Sequence, residues 1–129
     1  MSATDNLTVF ALPSVSKEAG GATVDVWTGA AVTLGAPVFA VSVAGAEVQV
    51  GAAQFFGPAQ AEILAEYCAD HLASLALPGA HLGVWADGET VYLDVSILVY
   101  SLFDALAIGA ANGQKAVFAF AAGEVIPVA

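Results

Sequence analysis

Arginine is missing from this chain, and lysine occurs only twice, at Lys17 and Lys115. Against these two cations stand twelve carboxylates, for a formal net charge of −10. Arginine supplies the planar fork that grips phosphates and carboxylates. Without a basic patch there is no electrostatic footprint for DNA or RNA, and the net negative charge repels nucleic acids and anionic membranes alike. Charge of either sign is scarce: charged residues make up 11% of the chain, against about 25% in an ordinary soluble domain. Cysteine is limited to Cys68, which excludes an intrachain disulfide. The first residues lack a basic segment followed by an apolar one, so no signal peptide is expected and a reducing compartment is the default.

What the chain does have is apolar side chains, at 59% of its 129 residues. That length suits a single domain over residues 1–129, with residues 1–6 read as frayed. So few ionic groups cannot wet a whole exterior. Monomers seldom expose large apolar patches, and obligate interfaces resemble a core cut in half, so an apolar face covered by another polypeptide is expected. The competing reading is a surface of Ala, Gly, Ser and Thr kept soluble by the acids alone. Those acids are scattered without a run, which argues against mimicry of DNA, where charge is dense and regular. The stretch Val26–Ala46 carries no charge for 21 residues, long enough to span a bilayer. It is broken by Gly29, Gly35, Pro37 and Gly45 and flanked by Asp25 and Glu47, so strands are the better reading.

Alternation and turn residues predict a largely antiparallel protein. Leu7–Leu12 is a short strand ended by Pro13, and Ser14–Gly21 a polar loop. Thr23–Trp27 alternates as a strand before a turn at Thr28-Gly29, and Ala31–Leu34 forms another short one. Val38–Val43 and Ala46–Val50 read as a hairpin around Ala44-Gly45. That register puts Phe39, Val41, Val43, Ala46, Val48 and Val50 on one face and Ser42, Glu47 and Gln49 on the other.

Pro58 at the first helical position opens the best helix. In it Ile63, Leu64, Tyr67, Cys68, His71, Leu72 and Leu75 form one apolar stripe, ended by Leu77-Pro78-Gly79. Leu82–Ala86 and Glu89–Leu93 flank Asp87-Gly88 as a second hairpin, pairing Trp85 with Thr90 and His81 with Asp94. Ser101 to Asp104 resembles a capping box. The helix it starts runs to Asn112-Gly113 and is apolar nearly all round, which predicts burial on more than one side, at the centre of the domain or against another subunit. Lys115–Phe120 and Glu124–Val128 close the chain as a strand pair. The expected fold is α+β: mainly antiparallel sheet built from hairpins, with two helices packed on one side.

Few constellations carry chemistry. His81, Asp94 and Ser96 share a hairpin face, as a hydrolase triad would, but Asp94 and Ser96 lie on one strand without a nucleophile elbow or an oxyanion loop. The expected role is a cross-strand His–Asp pair, and no catalytic residue is assigned. Cys68 and His71, with Glu62, Glu66 and Asp70 nearby, fall short of the second ligand cluster zinc requires, so no metal or cofactor is expected. Gly109 to Lys115 follows a helix rather than opening one, which excludes a phosphate loop. The aromatics could line a pocket for an apolar ligand, or pack as core and interface. Trp85 and Tyr92, on one hairpin face, and Leu102, Phe103 and Leu106, on the apolar helix, are the expected partner-binding residues.

The segments Val91-Tyr-Leu-Asp-Val-Ser96, Asp104, Asn112-Gly-Gln-Lys-Ala-Val-Phe118 and Gly123-Glu-Val-Ile126 resemble the C-terminal part of small uncharacterised proteins of actinobacteria and their phages. Lys115 and Ala119 depart from that pattern, where an apolar residue and an aspartate are expected. The resemblance implies an actinobacterial or phage source and supplies no catalytic residue. The function expected is a non-enzymatic interaction or assembly module, binding itself and a host or virion protein, in the host cytoplasm or in the virion. A small apolar-ligand binding domain is the alternative, and a hydrolase using Ser96, His81 and Asp94 the third reading. Neither nucleic acid nor a membrane is expected as a partner.

Overall fold

The longest strand of the protein alternates without a fault over ten residues. Along Thr90–Val99, here β5, Val91, Leu93, Val95, Ile97 and Val99 point to one face, and Thr90, Tyr92, Asp94, Ser96 and Leu98 to the other. A computed structural model, which describes Leu12 and residues 14–128, places β5 at the centre of a seven-stranded antiparallel sheet. The other strands are β1 (Gly21–Val24), β2 (Phe39–Ser42), β3 (Val48–Gly51), β4 (Ala80–Asp87), β6 (Ala116–Ala119) and β7 (Glu124–Pro127). The helices are α1 (Ala52–Phe55), α2 (Gln60–Asp70), α3 (Leu72–Leu75) and α4 (Leu102–Ala111). The sheet order is β1-β4-β5-β2-β6-β7, with β3 also on β5. The α+β class read from the sequence holds. Residues 1–6 and the strand expected at Leu7–Leu12 lie, apart from Leu12, outside the described residues.

The first hairpin does not form. β2 pairs with Val99 to Ser96 and β3 with Leu93 to Thr90, both antiparallel to β5. The two strands therefore lie end to end along one edge of β5 instead of folding back on each other. Residues 43–47 bulge out between them, opposite Asp94 and Val95. The faces are nevertheless as expected: Phe39, Val41, Val48 and Val50 pair with Val99, Ile97, Leu93 and Val91, all on one side. Alternation selects the face of a residue and not its partner, and both topologies satisfy it. Ala44-Gly45 is also a poor two-residue turn, since a type I′ turn needs positive φ at both positions; Gly45 has φ +79°, and no described residue other than glycine has a positive φ.

Distant groups hold this bulge. The Tyr67 hydroxyl donates to Ala46 O at 2.6 Å, and the Ala44 N–H donates to Asn112 Oδ1 at 3.1 Å. The Val43 N–H donates to Val95 O at 2.8 Å.

The second hairpin forms with a shifted register. Trp85 faces Tyr92, Gly83 faces Asp94 and His81 faces Ser96, because Gly88 and Glu89 are the central turn residues in place of Asp87 and Gly88. Gly88, at φ +60°, occupies the first central position, where a type II′ turn requires glycine. Each partner moves by two residues, so every side chain keeps its face. β1 is also displaced: it ends at Val24, because Asp25 starts the turn, its Oδ1 accepting from the Trp27 N–H at 2.8 Å. Of the expected strand Ala31–Leu34 only Ala31 bridges, to Val24.

All four described helices pack on the Val91–Val95 face. Phe55, Leu64, Tyr67, Cys68 and Leu75 meet Leu82, Val84, Val91, Leu93 and Val95 in the main core. Instead of one helix from Pro58, a short α1 comes first, α2 begins at Gln60, and a break at His71 separates α3. Gln60 is a tie rather than a solvated residue: its Oε1 accepts from the Val15 N–H and its Nε2 donates to Val15 O, both at 2.8 Å. α4 starts as expected, with Ser101 Oγ accepting from the Asp104 N–H at 3.3 Å, and gives way to Asn112 and to Gly113 at φ +66°. Among the described residues it is buried on one side only. Only Ala105 and Gly109 are fully buried. A Cβ at Gly109 would come within 2.9 Å of Val128 and 3.3 Å of Val117, so glycine lets the helix lie close to the sheet.

Candidate functional site

Among the described residues, the opposite face of the sheet carries no helix. At one end Val38, Ala40 and Phe120 form a small cluster with Phe118, whose ring meets Phe120 edge-on at 4.9 Å. Beside and partly over this cluster lies a trough of about 610 Å³, within the size range of small-ligand sites. Its floor is Ala40 and Ser42 of β2, Gly83 and Trp85 of β4, Asp94 and Ser96 of β5, and Phe118 of β6. Gly21 and Thr23 of β1, Leu34 and Val125 form the sides.

Among the described residues, Asp94 is the only ionisable one in the lining, and it is 7% exposed. The bulge positions it. Among residues 90–99 of β5 only Asp94 and Val95 lack a paired residue on the β2–β3 side, and the carboxylate is instead taken up by flanking hydroxyls. Ser96 Oγ donates to Oδ1 and Ser42 Oγ donates to Oδ2, each at 3.0 Å. Gly83 leaves the necessary room, since a Cβ there would overlap Asp94 Oδ1. Burial raises the Asp94 pKa above the ordinary carboxylate value; the Ser96 and Ser42 hydrogen bonds pull it down, and the charge of Glu47 pushes it up further. None of these groups acting on it is positively charged.

The three residues of the hydrolase reading are close in register without forming a triad. The Ser96 hydroxyl donates its hydrogen bond to Asp94, while His81 Nδ1 lies 2.9 Å from Gly79 O. The His81–Asp94 pair read from the sequence is replaced by Ser96–Asp94 and Ser42–Asp94. Sequence reasoning misses Ser42 because it assigns that residue to a hairpin that does not form. Its position two residues before the Ala44-Gly45 break, on the polar face, is the available signal.

Cys68 is fully buried and its thiol is pushed up to about 12 by that burial, so it stays protonated and unreactive. His71 stacks on Tyr67 at 4.1 Å, with Nδ1 2.9 Å from Tyr67 O. Tyr67 is likewise pushed up, first by burial and then by Asp94, Cys68 and Glu47. Among the described residues no three His, Cys, Asp or Glu side chains are grouped to hold a metal, and no helix is long and apolar enough to cross a membrane.

The partner-binding residues named from the sequence divide into two places. Trp85 and Tyr92 stack at 4.3 Å between centroids, with Trp85 lining the trough. At the start of α4, Phe103 is 80% exposed and Leu102 is exposed beside it, whereas Leu106 packs against the Val41–Ala105–Val117 cluster. Tyr100, 78% exposed, adds to the second place. It escapes a reading by pattern because it lies between strand and helix and belongs to no periodic stripe. No protein-family model matches the chain, and no curated protein or solved structure matches it.

Proposed function

We propose that this protein is a non-enzymatic interaction and assembly module, a small accessory protein of phage or phage-related origin that binds itself and a protein partner by apolar burial. The observation that carries this reading is the exposure of Tyr100, Leu102 and Phe103, three large apolar side chains within four positions. Ser101 caps the helix and so presents Leu102 and Phe103 on its first turn. Isolated exposed apolar residues are ordinary, but a contiguous group at a helix start is the kind of anchor that interfaces use. The origin rests on the C-terminal resemblance, and action in the host cytoplasm or in the virion follows from it. Light scattering across a concentration series tests self-association. The expected result is an oligomer that Phe103→Ser shifts towards monomer at unchanged thermal stability; a monomer at high concentration overturns the reading.

A second reading, binding of a small apolar ligand, is favoured by the trough on the helix-free face. The two readings use different surfaces and are compatible.

A further inference from the structure

We infer that the trough takes a small organic monocation, an ammonium group on an apolar body, with the charge seated on Asp94. This rests on the ligand-binding reading and deepens it. The trough is lined by apolar and small side chains and, among the described residues, contains a single ionisable group. That group is a carboxylate more than nine-tenths buried, held by two neutral hydroxyls and facing no cation among the described residues. Two serine protons leave lone pairs of a carboxylate unused. Burying a carboxylate without a counter-charge is costly, and the cost is relieved when an opposite charge arrives. The chain cannot easily supply one, having two lysines and no arginine, and neither lysine lines the trough. An anionic ligand would meet repulsion from Asp94 and from the net charge of −10. Trp85 and Phe118, on the same floor, provide aromatic surface for the hydrocarbon body and suit a neighbouring ammonium as well.

Calorimetry with three probes of one shape tests this: 4-phenylbutylamine, 4-phenylbutanol and 4-phenylbutyrate. The amine should bind about tenfold or more tightly than the alcohol, as expected of a charge-assisted contact, and the carboxylate should not bind. Asp94→Asn should lower amine affinity to that of the alcohol and leave alcohol binding intact, which also reports that the variant is folded; Asp94→Ser replaces it if it is not. Glu47→Gln removes the same unit of charge from an exposed site nearby and should leave amine binding within about twofold. Equal binding of amine and alcohol overturns the cation inference and keeps the ligand-binding reading. Amine binding lost equally in Asp94→Asn and Glu47→Gln, or unchanged in Asp94→Asn, also overturns it. If none of the three probes binds the wild-type protein, both readings fall.

Discussion

The two faces of the sheet are made by the same strands and have opposite characters. On the helix side β4 and β5 present Leu82, Val84, Val91, Leu93 and Val95, closed over by α1, α2 and α3. On the other side the alternate residues of the same strands are Gly83, Trp85, Tyr92, Asp94 and Ser96, and among the described residues no helix closes over them. The helix face is a packed interior, where removing volume is costly. The open face holds a buried carboxylate, so charge and space matter there more than volume. A single period-two pattern thus encodes a stability layer and a chemical layer in one strand.

Phe55→Ala should produce the largest effect. The ring is fully buried and touches Phe56 edge-on at 5.1 Å; its loss should cost about 3–5 kcal/mol, read as a fall in the denaturant midpoint. A cost below about 1 kcal/mol would mean that the helix face is not the tightly packed side. Gly83→Ala should come next, at about 1–3 kcal/mol, because the added methyl displaces the Asp94 carboxylate. If Asp94→Ala, which removes the overlapping atoms, does not soften that penalty, the clash is relieved elsewhere than at Asp94.

Asp94→Asn alone has the smallest effect on stability, and its sign depends on pH. The pKa of Asp94 is raised in the folded protein above its ordinary value of 3.8, so the native state holds the proton longer than the unfolded chain. Its contribution to stability is complete below pH 3.8 and declines as pH rises through the folded-state value. The variant should therefore gain stability relative to wild type as pH rises from about 4 towards neutrality, and that gain should shrink on acidification. Chemical denaturation at several pH values reads the difference, and a gain independent of pH would remove burial of charge as its cause.

Much of the fold is legible in the residues alone. β5, the hairpin that it forms with β4, the apolar stripe of α2 and α3, the serine cap of α4 and the closing strand pair are all local patterns of alternation, spacing and turn chemistry. The candidate site is half legible: the pattern points to Asp94 and Ser96, but to the wrong partner. His81 falls opposite Asp94 only if Asp87-Gly88 is the centre of the turn, and the true centre one residue later moves every partner by two. Ser42 has no local link to the site, since only the placement of β2 on β5 brings it to Asp94, 52 residues away in the chain.

By itself the sequence determined which side of strands β2 to β5 is apolar, where helix α4 starts and stops, and how few ionic groups the chain carries. These are properties of neighbours a few residues apart, set by side-chain geometry and turn conformation. Tertiary structure alone decided which strands meet, that residues 43–47 bulge instead of turning, and that a buried carboxylate lies in a trough. Those outcomes depend on contacts such as Tyr67 with Ala46 and Asn112 with Ala44, across 21 and 68 residues. The loop-closure entropy of such contacts is repaid only by packing of the whole domain, so no local pattern announces them.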